Sequence, residues 1–266
     1  MTLKPPHKLF LLPIPKRLPA RKVVTIAIGF TCNEGVVVCA DSQATVRGYT
    51  KDYCGKIKVS LYHKHDVAMA IVGAGDEDYI QTAMNKVDRG IGEATKFTEA
   101  EEVMEKNLLD FFDANLARWA YYPRDDRPEV ELLIGINFTK GPCGLFHYCG
   151  TAFRRIVGMK AIGTGSLLAG NFLSIWKLDT LEQLGSAAAY ILYKVKKNVD
   201  SCGGFSDIVV LKKGGKLAMV DSREIEKLES KFAEIDLKNE ERLRGEVAQS
   251  KLPPYWYFGE RKPEEK

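Results

Sequence analysis

The chain has 266 residues, 45% of them hydrophobic, and a formal net charge of +4. That is sufficient for one large domain and is not a disordered composition. Charged residues make up 28% and are spread along the chain, so nothing points to a nucleic-acid partner. No stretch reaches about 18 apolar residues, which argues against a membrane-spanning helix. The six cysteines, at 32, 39, 54, 143, 149 and 202, form no C-x-x-C pair, and no His/Cys cluster has zinc spacing. They read as reduced thiols of a cytoplasmic protein.

In chain order, residues 1–24 read as an N-terminal extension or propeptide, because Pro13, Pro15, Lys16 and Arg17 break the apolar run Leu9–Leu12. Residues 23–30 and 36–41 are β-branched and apolar, with a turn signal at Asn33-Glu34-Gly35 between them. They predict a hairpin covered on both faces. Short strands follow at 56–61 and 67–73, and Gly73-Ala74-Gly75 is expected to break the chain. A helix is expected from Asp76 to about Val87, interrupted at Asp88-Arg89-Gly90. A second runs from Thr98 to Ala120, with Thr98 and Glu101 at capping-box spacing. Strands are predicted at 129–137, 144–149 and 152–160, then helices over 166–177 and from Thr180 to near Lys197. A hairpin of 207–211 and 217–220 closes the pattern, and residues 222–248 read as a charged helix with a tail to 266. Helix pairs inserted between groups of hairpin strands favour an α+β layered sandwich. No internal boundary divides residues 25–221, which leaves residues 222–266 as a charged helix and tail.

Five segments occur in a telling order: VVTIAIGFTCNEGVVVCADSQAT at 23–45, GKI at 55–57, IVGAGDEDY at 71–79, AIGTGSLLA at 161–169 and DSCGGFSDIVVL at 200–211. Together they resemble the proteasome family of N-terminal nucleophile hydrolases, in particular its β-type subunits and their bacterial and archaeal self-compartmentalising relatives. The resemblance implies a four-layer αββα sandwich with two packed antiparallel sheets. It also implies rings of identical or homologous subunits, an unfolded polypeptide as substrate and an ATP-dependent unfoldase as a further partner. No metal or organic cofactor is implied.

Carried over residue by residue, the resemblance makes Thr25 the nucleophile, 16 residues before Asp41. A threonine hydroxyl needs an adjacent base, and cleavage before Thr25 would supply its own free amine. Asp41 would pair with a lysine and hold the field around the nucleophile. Lys56 matches the family lysine, with Lys58 as a competitor two residues on. A cation there lowers the pKa of a neighbouring amine or hydroxyl. Gly73 resembles the glycine whose amide receives the oxyanion. Thr164 stands where active members carry a serine between glycines, and Cys202 stands at a second supporting serine. Asp200 is one residue away from the family's second aspartate position, which Val199 holds.

Two other readings stay open. Val24 precedes Thr25 where processed members carry glycine, and in an α-type register Val24 itself takes the nucleophile position. Thr2, exposed by removal of Met1, is a third candidate, although Pro5 and Pro6 follow it closely. These departures fit a catalytically inactive structural or gating subunit. A non-protease amidohydrolase on the same fold is the remaining alternative.

Overall fold

A computed structural model of the chain describes residues 22–23, 26–46, 50–53, 55–173 and 178–249. The N-terminal extension to 21, Val24, Thr25, the predicted helix end at 174–177 and the tail beyond 249 lie outside them. The strands are β1 (Lys22–Val23), β2 (Ala27–Cys32), β3 (Gly35–Asp41), β4 (Gln43–Val46), β5 (Thr50–Tyr53), β6 (Ile57–Tyr62), β7 (Val67–Asp76), β8 (Val130–Phe138), β9 (Cys143–Cys149), β10 (Ala152–Ile156), β11 (Met159–Ile162), β12 (Ser206–Lys212) and β13 (Lys216–Met219). The α-helices are α1 (Glu77–Ile91), α2 (Phe97–Phe111), α3 (Ser166–Leu173), α4 (Leu181–Asn198) and α5 (Ser222–Gln249).

One antiparallel sheet has the order β7-β8-β9-β10, with β1 and β6 both on the far edge of β7. The other has the order β11-β2-β3-β12-β13, also antiparallel. A separate hairpin, β4–β5, was not expected from the sequence. Strand alternation sorts the core into three layers. Val36, Val38 and Ala40 of β3 face Ala68, Ala70 and Val72 of β7 between the sheets. Val37 and Cys39 of the same β3 face α3, α4 and α5. Met69 and Ile71 of β7 face α1 and α2. All seven residues of β3 are buried, as a strand covered on both faces requires. This is the expected αββα sandwich. The sheets approach closely: a Cβ on Gly135 of β8 would fall 2.9 Å from Leu211 and 3.1 Å from Val36.

Several local expectations are corrected. Gly73-Ala74-Gly75 does not end β7, which runs on to Asp76. Gly75 has a φ of +120°, and a Cβ there would meet the Glu129 carbonyl oxygen at 2.0 Å. Glycine therefore lets β7 keep its pairing with the start of β8. Asp76 does sit at the start of α1, but its carboxylate accepts the Glu129 N–H at 2.8 Å and caps no helix amide. In α2 the cap lies upstream of the expected one. Glu99 accepts from both the N–H and the hydroxyl of Thr95, each at 2.8 Å, and Thr98 is already inside the helix. Nor does α2 continue regularly to Ala120: a π turn spans Phe112–Leu116 and a 3₁₀ turn Ala117–Tyr121. The single strand expected at 152–160 divides at Val157-Gly158. Its first half pairs with β9 and its second with β2 in the other sheet. Gly158, at φ +86°, makes that crossing, and its N–H donates to the Thr31 hydroxyl at 2.8 Å. The Thr180 start of α4 is as expected, with a capping box to Gln183.

Helix α1 runs uninterrupted through Asp88-Arg89-Gly90, and Asp88 ties it to β6. Its carboxylate pairs with Lys58 at 2.8 Å and accepts from Ser60 at 2.6 Å and from the Tyr62 hydroxyl. Burial opposes its ionisation, but these donors outweigh burial and hold its pKa below the ordinary value. The folded state thus binds this proton less readily than the unfolded chain. The resulting stability is complete above the unfolded value of about 3.9 and fades as pH falls through the lower folded value. Asp88→Asn should therefore lower Tm at pH 7 by about 2–4 °C, for a loss of about 1 kcal/mol. Parallel pH series of thermal melts should show the difference from wild type vanishing in acid. A difference that persists below pH 2 would sink this account.

Candidate active site at the end of strand β3

Asp41 ends β3 opposite Ile26, the residue immediately before β2, and is fully buried. Its backbone N–H donates to the Ile26 carbonyl at 3.2 Å. Among the described residues, its carboxylate accepts from Lys56, Ile26 and Gly203. Lys56 Nζ donates to Oδ1 at 2.6 Å, the Ile26 N–H to Oδ1 at 3.1 Å and the Gly203 N–H to Oδ2 at 2.8 Å. The Lys56 side chain is only 3% exposed. Lys56 precedes β6, whereas Lys58 is drawn to Asp88 and to Asn85 at 3.0 Å. The two competing lysines thus fall on different networks. An ion pair this buried is seldom a net gain for folding, because both charges lose their water.

The loop after α4 wraps the end of β3. Ser42 N–H donates to the Phe205 carbonyl at 2.8 Å, the Ser42 hydroxyl accepts the Phe205 N–H at 2.8 Å, and Gln43 N–H donates to the Gly203 carbonyl at 3.0 Å. Gln43 also donates from its side-chain amide to the Asp200 carbonyl at 3.3 Å. Asp200 thereby meets the site through its backbone. Cys202 is buried nearby; burial first, and then the Asp41 charge, push its thiol up to about 12. It is a neutral thiol at neutral pH and a poor candidate nucleophile. A Cβ on Gly165 would lie 2.9 Å from Ile26 Cβ and 3.3 Å from Cys202 Sγ. The turn carrying Thr164 therefore abuts the same centre, with Thr164 itself exposed.

Gly73 lies on the edge of β7 shared by β1 and β6. Pairing with β6 ends at Val72 and pairing with β1 ends at Gly75. Among the described residues, Gly73 and Ala74 have no strand partner on that edge. The missing side chain of Gly73 points under α1, where a Cβ would meet Ile80 at 2.4 Å. Beyond it, Ala74, Gly75, Gly163 and Thr164 share the wall of one cavity of about 670 Å³. Thr25 lies outside the described residues; its neighbours Val23 and Ile26 are on β1 and opposite Asp41. The structure therefore brings together Asp41, Lys56 and the Thr164 turn.

Sequence reasoning missed two participants. One is the Gly203 amide, which only the Gly203-Gly204 turn signal marked. The other is Asp207, two residues beyond Phe205 on β12. Burial first, then the Asp41 charge, raise its carboxyl above the ordinary value, against the pull of Lys56. A raised folded pKa means that ionised Asp207 is a liability above that value, relieved below the unfolded value of about 3.9. Asp207→Asn should raise Tm at pH 7 by on the order of 2 °C. The gain should disappear in melts below pH 3.5; an unchanged or lowered Tm at pH 7 would contradict this.

Among the described residues no group of three or more His, Cys, Asp or Glu is arranged to hold a metal ion. The five described cysteines, at 32, 39, 143, 149 and 202, are free, and no described helix is long and apolar enough to cross a membrane.

The two-sheet sandwich and its chain path recur in solved structures. Solved structures that share this fold include those of Anbu. That from Yersinia bercovieri, described as an ancestral β-subunit, is 13% identical, with 86% of this chain and 99% of that one covered at a TM-score of 0.67. The subunit in the helical assembly of the Anbu complex from Pseudomonas aeruginosa is 15% identical, covering 88% and 100% at 0.65. A Gly-1 mutant of Anbu from Hyphomicrobium sp. strain MC1 is 12% identical, covering 86% and 99% at 0.65. At such identities the likeness establishes a shared fold. No protein-family profile matches the chain, and no curated protein matches it in sequence.

Proposed function

We propose that the chain is a threonine-type endopeptidase subunit of a proteasome-like ring, with Thr25 as nucleophile after removal of residues 1–24. The observation that carries this reading is the buried Asp41–Lys56 pair at 2.6 Å, whose carboxylate also holds the amide of Ile26, next to Thr25. A buried lysine fixed there would lower the pKa of the freed threonine amine or hydroxyl. Buried, paired ionic groups of this kind are candidates for functional sites. In the reaction the Thr25 hydroxyl attacks a peptide carbonyl while the α-amine takes its proton. The Gly73 amide receives the oxyanion, and the Thr164 hydroxyl supports the amine. The leaving amine takes the proton, and water then hydrolyses the acyl ester. We place the protein in the cytoplasm, with unfolded polypeptide as substrate and an ATP-dependent unfoldase as the partner that delivers it.

A second reading, an inactive structural or gating subunit, is favoured by Cys202. Its buried thiol is a weaker hydrogen-bond donor than the serine hydroxyl expected there. Intact mass of the purified chain separates the two. The first predicts a species beginning at Thr25 that reacts with threonine-directed covalent probes; a full-length, unreactive chain supports the second.

A further inference from the structure

The cavity of about 670 Å³ beside Thr164 is within the range of pockets that enclose a ligand. One wall is the irregular stretch after α2. Its π turn supplies Phe112 and Leu116 and its 3₁₀ turn supplies Trp119. Breaks in helical regularity of this kind recur at functional sites. Trp119 is held in place by a hydrogen bond from its indole to Tyr79 Oη at 3.2 Å and by Tyr122, whose ring centroid lies 4.9 Å away. The Arg118 guanidinium already lies 5.6 Å from the Trp119 ring centroid. The opposite wall is Ala74 and Gly75 on one side and Gly163 and Thr164 on the other. Those residues adjoin Gly73 and Gly165, and a Cβ on Gly165 would lie 2.9 Å from Ile26 Cβ, whose backbone N–H donates to Asp41.

The charge of the lining is net −1, from Arg127 against Glu129 and Glu131. The Arg127 guanidinium is turned to the backbone, donating to the carbonyls of Tyr122 and Ala120 at 2.9 Å each. Glu131 stands one-third exposed. It accepts the Gly163 N–H at 3.4 Å, and His147 Nε2 lies 3.6 Å from its other oxygen. His147 is only 4% exposed, and among the described residues Nε2 has no hydrogen-bond partner within normal distance. The His147 contact first, and then the Gly163 amide, outweigh burial and keep the Glu131 carboxyl below the ordinary value. Glu131 is thus an anion at neutral pH in a cavity with an aromatic wall, a setting that suits a cation.

We infer that this cavity takes a lysine or arginine side chain of the polypeptide substrate, with Glu131 pairing with its charge and the aromatic wall packing its aliphatic stem. The inference rests on the peptidase reading above. Glu131→Gln keeps an oxygen for the Gly163 N–H and removes only the charge. Two measurements on the full chain test it. In a peptide series varied beside the scissile bond, wild type should cleave lysine or arginine peptides about ten-fold faster, in kcat/KM, than norleucine peptides; tenfold corresponds to about 1.4 kcal/mol. The E131Q variant should lose that preference, its lysine and arginine rates falling to its own norleucine rate. Independently of cleavage, agmatine should bind wild type about ten-fold more tightly than E131Q by NMR titration. If no peptide is cleaved, the peptidase reading fails and agmatine binding alone decides on the cavity. A preference for norleucine, or equal agmatine affinity in the two proteins, overturns the inference.

Discussion

Changing Lys56 to methionine should destabilise the fold by about 3–5 kcal/mol. The Asp41 side chain is fully buried and Lys56 is 3% exposed, so the variant removes the lysine charge from beside a carboxylate in a place water does not reach. The amides of Ile26 and Gly203 still donate to that carboxylate, which keeps the loss from growing further. Urea unfolding at pH 7 reads the effect directly, as a fall in midpoint at constant m. The double variant Asp41→Asn/Lys56→Met should recover part of it, since no isolated charge remains. The coupling between the two sites should then exceed about 1 kcal/mol. A single-variant loss under about 1 kcal/mol would show that the pair is solvated and contributes no more than a surface ion pair.

Thr25→Ala should abolish peptide hydrolysis, a fall of about 10³-fold or more, because the nucleophile is removed outright. It should also leave residues 1–24 attached, since the same hydroxyl performs the self-cleavage. Thr25→Ser should retain measurable turnover. Lys56→Met, assayed where it remains folded, should lower kcat more than it raises KM, because its charge acts on the nucleophile and not on the bound substrate. Hydrolysis by purified T25A at the wild-type rate would remove Thr25 from the chemistry and require a different nucleophile.

The sandwich was legible because β3 is apolar at consecutive positions, and only a strand covered on both faces reads that way. Asp41 was legible through the family resemblance of the segment at 23–45, which carries an aspartate at the end of its second strand. Lys56 was preferred to Lys58 by that resemblance alone, and the physical reason, the pairing of Lys58 with Asp88 in the next helix, was beyond the sequence. Asp88 had itself been read as a helix interruption. The β4–β5 hairpin was missed because Gln43–Val46 and Thr50–Tyr53 mix polar and apolar residues without clear alternation. Gly203 acts through its backbone, which carries no side-chain signature. Glu131 and Asp207 lie in strands whose alternation marks them only as positions on a face, and their roles appear once the ends of both sheets are set side by side.

The Gly203 amide reaches Asp41 across 162 positions of sequence, and the crossing at Gly158 stitches the two sheets together between them. Contacts that distant form late and slowly compared with local ones. A nascent chain emerging from the ribosome presents Thr25 and Asp41 early, but their surroundings stay incomplete until β12 has been synthesised and docked. Any hydrolytic capacity is thereby timed to the end of folding. Under the peptidase reading, the topology itself would act as a clock that keeps an unfinished chain from cutting itself or its neighbours.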